Sequence, residues 1–264
     1  MKVINIVGNL TFDLREGNKT EGGPGFFSGK IAMKYNYKPT LIGHMPREYN
    51  RSLLEGFDVD CVEVVDEELI FNFSSNKEKI LLIGNSKKIK KEVIFECLKR
   101  NDGPILISPV FNEVNEETIN EISLYFKDRK ILVDIQGLIR RVNDLREIFY
   151  GGLKLTYLSS LTIHGDIEEI SSIFGDNWLI NSIKASIEYN IDILIGIGKE
   201  GAMLVSGSKI FHSRPSKTTN KKVIGAGDVL SAVYLIGINN GLSKDESLNI
   251  AVKESSEFAA SNNI

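Results

Sequence analysis

The sequence predicts an α/β protein, a central and mostly parallel sheet with helices on both faces. Three observations carry this. Short apolar runs alternate with longer helical segments along the chain. Runs such as Ile105-Leu106-Ile107 and Ile131-Leu132-Val133 are unbroken by polar residues, as strands covered on both faces require. With 264 residues, 42% hydrophobic and 25% charged, the chain is long enough for one α/β domain with a small appendage.

The elements follow in order. Lys2 to Val7 reads as a buried strand that enters a turn at Gly8. Phe26 to Tyr35 is a short helix and Thr40 to Gly43 a strand. From about Val59 to Ile83 the text turns β-rich, and turn-like Ser74-Ser75-Asn76-Lys77 separates the last two apolar runs as in a hairpin. Lys90 to Lys99 and Glu116 to Phe126 are helical, with strands at Ile105 to Ile107 and Ile131 to Asp134. Leu145 to Phe149 reads as helix and Leu155 to Leu158 as strand. Helices over Glu168 to Phe174 and Asn181 to Tyr189 precede a strand at Ile191 to Ile195.

Charge and composition exclude several functions. The net charge is −3 and no long basic block occurs, so nothing favours nucleic acid as a partner. No apolar run is long enough to span a membrane, and the N-terminus lacks the pattern of a signal peptide. Cys61 and Cys97 lie far apart in sequence and are expected as reduced thiols in a cytoplasmic protein. His44, His164 and His212 form no zinc spacing.

The most informative stretch is Ile224-Gly225-Ala226-Gly227-Asp228. An almost uncharged helical segment follows it and stops at Asn240-Gly241. Glycines around an alanine at a helix start expose backbone N–H groups at the positive end of the helix dipole, an anion site. Asp228 stands at its edge as a base for an attacking hydroxyl, and the pair points to phosphoryl transfer. An N-capping aspartate after a glycine-rich loop is the alternative. Gly196-Ile197-Gly198-Lys199-Glu200-Gly201 matches G-x-G-x-x-G literally. It leads into two short strands around Ser206-Gly207-Ser208 rather than a helix, so it is not a dinucleotide fingerprint.

The order of these motifs resembles the ribokinase-like (PfkB-type) carbohydrate kinases over nearly the whole chain. A strand ending in Gly8-Asn9, Asp13 soon after, and Gly22-Gly23 opening a helix resemble that family's N-terminal half. Gly225-Ala226-Gly227-Asp228 matches its C-terminal signature, and a last helix over Ser243 to Ala260 fits it too. The resemblance implies a single kinase domain over 1–264, with a small β lid drawn mainly from 59–83 and partly from 9–22. It implies Asp228 as the base and Gly225, Ala226 and Gly227 as the anion hole. Asp13, Gly22 and Gly23 would meet the acceptor, and Gly198, Lys199 and Gly201 would lie beside the nucleotide. Asp166 and Glu169 would order water around Mg²⁺, in place of the family's Asn-x-x-Glu. A helix cap is the alternative for that pair.

Two departures stand out. Lys222-Val223-Ile224 replaces the family's acidic and hydroxyl residues before Gly225, which leaves open whether the family's nearby monovalent-cation site is kept and offers Lys222 to a phosphate. Phe26-Phe27 stands where sugar kinases place an acceptor-binding Asn, so one ring is assigned to the core and Phe27 to the pocket wall. Asp134-Ile135-Gln136-Gly137-Leu138-Ile139-Arg140 places Gln136 and Arg140 beyond a strand end, where acceptor hydroxyls are read. That segment resembles short inositol-kinase-type members.

The expected activity is therefore ATP-dependent phosphorylation of a small polyol or sugar, with myo-inositol ahead of ribose. The partners are a small-molecule acceptor and a nucleotide, and the protein is a monomer or homodimer. The alternatives are a ribose-, fructose- or nucleoside-type kinase, or a kinase-like binding protein without activity.

Overall fold

The computed structural model describes residues 1–73, 80–215 and 223–261. The first third contains β1 (Lys2–Val7), β2 (Thr11–Arg15), β3 (Asn18–Gly22), α1 (Pro24–Lys34), β4 (Tyr37–Pro46), β5 (Asp58–Val65), β6 (Leu69–Phe73) and β7 (Ile80–Gly84). There follow α2 (Lys91–Leu98), β8 (Ile105–Ile107), α3 (Glu116–Tyr125), β9 (Ile131–Asp134), α4 (Gln136–Ile139), β10 (Arg140–Val142) and β11 (Ile148–Tyr150). The remainder is β12 (Thr162–Asp166), α5 (Ile167–Phe174), α6 (Trp178–Tyr189), β13 (Asp192–Gly196), β14 (Ala202–Ser206), β15 (Lys209–Ser213), α7 (Ala226–Asn239) and α8 (Lys244–Ser261).

The main sheet runs β15-β14-β13-β12-β9-β8-β1-β4-β5. It is parallel from β13 to β5, and β14 and β15 close one edge as an antiparallel hairpin. Alternation within each strand shows why the apolar runs are unbroken. Ile4, Ile6, Leu106, Leu132 and Leu194 face a core shared with α1, α7 and α8. Val7, Ile105, Ile107, Ile131, Val133, Ile193 and Ile195 face the opposite core, under α2, α3, α5 and α6. Both faces are covered, so both parities are mostly apolar, and the few buried polar side chains, such as Asn5 with its bond to Asn101, are hydrogen-bonded.

A second sheet, β3-β2-β6-β7, stands apart and shares a small core of Leu69, Phe71, Leu82 and Val110. The strand at Val62 to Val65, expected in the lid, is part of β5 and pairs with β4 at the edge of the main sheet. Only β6 and β7 of the 59–83 stretch join the small sheet, together with β2 and β3. The expected turn over Ser74 to Lys77 lies outside the described residues.

Three further expectations are corrected. Leu145 to Phe149 is not helical, because its apolar end is drawn into β11, which pairs with β10. Leu155–Tyr157 is a single 3-10 turn, and the strand is the following Thr162–Asp166, whose Gly and His obscure its apolar pattern. Cys61 on β5 and Cys97 on α2 are not free thiols. They form a disulfide with Cα atoms 6.2 Å apart. Packing of α2 beneath β4 and β5 brings the two together, which sequence distance cannot show.

Candidate active site

Parallel strands end on one side of the sheet, and a cavity of about 930 Å³ opens there. Asp134 is the last residue of β9, Asp166 of β12 and Gly196 of β13. The cavity is lined by eleven of the residues singled out in the sequence: Gln136, Arg140, Asp166, Glu169, Gly198, Lys199, Gly201, Gly225, Ala226, Gly227 and Asp228.

The turn before α7 is built by glycine. Gly225 is left-handed, with φ 87° and ψ −11°, and a Cβ there would lie 2.6 Å from the Phe27 ring. Only glycine suits both conditions. Residues Ala226, Gly227 and Asp228 then form the first turn of α7, whose N–H groups have no partner within the helix. Neighbouring helices fix this turn. Ser28 Oγ on α1 donates to the Asp228 carbonyl at 3.2 Å, and Ser255 Oγ on α8 donates to the Ala226 carbonyl at 2.8 Å.

The Asp228 side chain is buried at the cavity wall. Burial pushes its carboxyl well above the ordinary range, Asp134 and Asp13 add to the shift, and His164 and Arg140 oppose it. Asp134 and His164 form a buried pair, Oδ2 to Nδ1 at 2.9 Å. Burial works against protonation of His164, yet Asp134, with Glu169 and Asp228 behind it, holds the imidazole above its usual value. Its ring lies against the anion turn, since a Cβ on Gly227 would sit 3.3 Å from Cε1.

Asp166 and Glu169 form a capping box. Asp166 Oδ1 accepts the Glu169 N–H at 2.8 Å, and Glu169 Oε2 accepts the Asp166 N–H at 2.9 Å. One oxygen of each is thereby committed to the start of α5. Burial, with Asp166 and Asp134 nearby, pushes the Glu169 carboxyl up to about 8. Among the described residues no group of three or more His, Cys, Asp or Glu could hold a metal directly. The pair fits a hydrated cation held through its waters, not a directly ligated one.

Arg140 is placed from behind. Buried Glu113 accepts the N–H groups of Asn9, Val110 and Phe111 at 3.1, 2.7 and 2.7 Å. The Val110 carbonyl so fixed accepts Arg140 Nη1 at 3.1 Å. Gln136 sits one residue beyond Ile135, and its N–H donates to Asp134 Oδ1 at 3.1 Å.

Four expected site residues among the described ones do not line the cavity. Asp13 and Gly22 pack together, and a Cβ on Gly22 would lie 2.5 Å from Asp13 Oδ2. The Asp13 carboxyl is pushed up to about 6 by burial, against the pull of Arg15 and Arg140. Gly23, with φ 98°, packs on Asn9 to Thr11 as the hinge between β3 and α1. Phe27 is no acceptor wall. It fills the space beside Gly225 and meets Phe258, with centroids 6.1 Å apart. Lys222 lies outside the described residues. Sequence reading missed His164, Arg15 and Tyr150, which also line the cavity. Tyr150 and Arg15 each end a strand, a signal that was available, whereas His164 lies in the middle of β12 and nothing local marks it.

The fold and the site define a class: an α/β domain that presents a glycine turn and a buried carboxyl at one cavity, beside a small second sheet. No protein-family model matches the chain. Among curated proteins it is 24% identical to the 1-phosphofructokinase of Borreliella burgdorferi over 242 residues, 85% of this chain and 75% of that protein. Among solved structures it matches a pyrophosphate-dependent kinase of the ribokinase family, complexed with a pyrophosphate analogue and myo-inositol. The TM-score is 0.74 at 18% identity, covering 96% of this chain and 93% of that one. It also matches Arabidopsis thaliana ribokinase complexed with ribose and ATP, with TM-score 0.73 at 16% identity, covering 97% and 91%. The likeness to these structures shows that the chain has the ribokinase-like fold.

Proposed function

We propose that the protein transfers the γ-phosphoryl group of ATP to a hydroxyl of a small polyol or sugar, with the ring of myo-inositol as the acceptor that fits. One observation carries the reading: buried Asp228 and the Gly225–Gly227 turn share a cavity with Gln136 and Arg140. Asp228 takes the proton of the acceptor hydroxyl as its oxygen approaches the phosphorus. A raised carboxyl is the stronger base for that step. The N–H groups of the Gly-Ala-Gly turn hold the charge that spreads over the transferred group. Asp166 and Glu169 would hold Mg²⁺ through water, and the ion, when bound, neutralises charge on the phosphates. Gln136 and Arg140 orient the ring, while Gly198, Lys199 and Gly201 border the donor.

The acceptor assignment is supported by Gln136 and Arg140 at a strand end and by the myo-inositol-bound neighbour. A fructose-type acceptor is the second reading, favoured by the 1-phosphofructokinase relative. We place the protein in the cytoplasm, where ATP is available. Among the described residues no helix is long and apolar enough to cross a membrane.

The test is a panel of myo-inositol, ribose, fructose and adenosine, each with Mg²⁺ and either ATP or pyrophosphate, followed by phosphorus NMR. Phosphorylated myo-inositol is the expected product. Strong preference for ribose or adenosine would overturn the acceptor, and turnover with pyrophosphate alone would overturn ATP as donor.

A further inference from the structure

Between β9 and β12 the chain forms a short antiparallel ribbon, β10 and β11, with Arg140 opposite Tyr150, Arg141 opposite Phe149 and Val142 opposite Ile148. Opposed residues share a face, and the face alternates along each strand. Arg141 and Phe149 therefore point away from the body of the ribbon's contacts, and Phe149 is half exposed. The other face meets two cores. Val142 and Ile148 pack on the small-sheet core of Leu69, Phe71, Leu82 and Val110. Tyr150 packs on the main-sheet core that includes Val133 and Ile135. The ribbon thus straps the small sheet to the main one.

Hydrogen bonds tie the strap at both ends. At its tip the Arg146 carbonyl accepts the Leu82 N–H at 2.9 Å, and the Arg146 guanidinium donates to the Leu82 carbonyl at 3.0 Å and to the Gly84 carbonyl. At its base the Gly151 N–H donates to the Ile139 carbonyl at 2.7 Å, and Asn112 Nδ2 donates to the Arg140 carbonyl at 3.2 Å. Tyr150 stands at that base, so its backbone has little freedom to carry the ring aside. The residue lines the cavity together with Phe73 and Ile80 of the small sheet and Gln136 and Arg140 beyond β9. The charges around its hydroxyl are Arg140 and the carboxyls of Asp166, Glu168 and Glu169. It therefore stands where the acceptor end of the cavity meets the carboxyl end. Among the described residues the hydroxyl has no hydrogen-bond partner. A phenol both donates and accepts, which suits it to an alcohol.

We propose that Tyr150 is a specificity-determining residue of the acceptor pocket: its ring, fixed by the ribbon, is a side wall that admits a single sugar or polyol ring and excludes two-ring acceptors such as nucleosides, and its hydroxyl bonds a hydroxyl of the ring it admits. This rests on the kinase reading above and narrows its substrate class. Two parts of the side chain then do separate work. The ring limits size, because a wall tied to both sheets cannot swing out to make room for a base. The hydroxyl supplies affinity, because an acceptor that lacks a matching hydroxyl leaves it unpaired.

The experiment separates the two parts with Tyr150→Phe and Tyr150→Ala, assayed on myo-inositol, ribose, fructose and adenosine. Tyr150→Phe keeps the ring and loses the hydroxyl. It should raise KM for the best single-ring acceptor about 2–10-fold, the loss of one neutral hydrogen bond, and spare KM for the donor. Adenosine should stay excluded. Tyr150→Ala removes the wall, and kcat/KM for adenosine relative to that single-ring acceptor should rise by about tenfold or more. A merely structural tyrosine would lower activity toward every acceptor alike and leave that ratio where it was. An unchanged acceptor KM in Tyr150→Phe, an equal rise in the donor KM, or an unchanged ratio in Tyr150→Ala overturns the proposal. If Tyr150→Ala does not fold, Tyr150→Leu, which fills the core but is narrower at the wall, is read in the same way. Calorimetry with the same compounds and no donor separates this from the kinase reading. Should the parent turn over no acceptor, single-ring compounds that bind the parent, and bind Tyr150→Phe about threefold or more weakly, still uphold the assignment of Tyr150. Absence of binding, or equal binding to both proteins, refutes it whether or not the protein is a kinase.

Discussion

An ionised carboxylate at Asp228 is costly to fold around at the very pH where it is useful as a base. Its folded pKa is raised above the value of 3.8 that the unfolded chain would show. The proton-bound form is therefore the one the fold prefers. Stability from this residue is fully present below about pH 3.8 and is lost as pH rises through the raised value. Asp228→Asn removes the loss. Thermal melts should show the variant gaining on the parent as pH rises from 5 to 8, with the gap closing in acid. Turnover in the same variant should fall by about 10²–10⁴, the range of general base catalysis. Activity within threefold of the parent would remove Asp228 from the chemistry. Gln136→Ala should raise the acceptor KM, at a cost of about 0.5–1.5 kcal/mol, and spare the KM for the donor. Asp228 and its turn were legible in the sequence because helix start, glycines and acid are contiguous. His164 was not, because its place comes from Asp134, which is distant in sequence and adjacent only through the β9–β12 register.

At the scale of elements, the turn into α7 is the piece that a single substitution tests best. Gly227→Val would bring a side chain against His164, whose Cε1 is 3.3 Å from the position of a Cβ. His164 is itself held by Asp134, so the ring has little room to yield. Donor affinity and turnover should both fall, while acceptor binding measured alone should change little. Calorimetry with each substrate separately reads this out, and intact donor binding would reduce the turn to a helix start. Where a strand is flanked on both faces its apolar run announced it, as with β8 and β9. Where pairing, not burial, decides the conformation, the text misled. Leu145, Ile148 and Phe149 have helix-like spacing with no helix behind it, whereas Ile148 and Tyr150, two apart, are the half-buried members of a short ribbon. β5 looks like its neighbours β6 and β7 in sequence, and only its register with β4 assigns it to the other sheet.

For the molecule as a whole, the Cys61–Cys97 bond closes 36 residues of chain. It ties the outermost strand of the main sheet to α2, and the enclosed segment contains β6 and β7 of the small sheet. A loop of this length corresponds to about 3–4 kcal/mol of stabilisation by restriction of the unfolded chain. Denaturant unfolding with and without reductant should show a loss of that order, matched by Cys97→Ser. No change would mean that the bond does not form in solution.

The hinge at Gly23 has a consequence for the order of events during turnover. It joins β3, the edge of the small sheet, to α1. From α1, Phe27 abuts Gly225 and Ser28 holds the carbonyl of Asp228. A rigid helix thus acts as a lever between the acceptor side and the phosphate side. On the proposed function, a swing of the small sheet as the acceptor enters would be handed to the turn assigned to the donor. Occupancy of one pocket should therefore sharpen the other, and thermodynamic reciprocity requires the same factor in both directions. Titrating donor with acceptor present and absent, then acceptor with a non-transferable donor present and absent, should return equal factors above one. Loosening the lever with Ser28→Ala should bring both toward one.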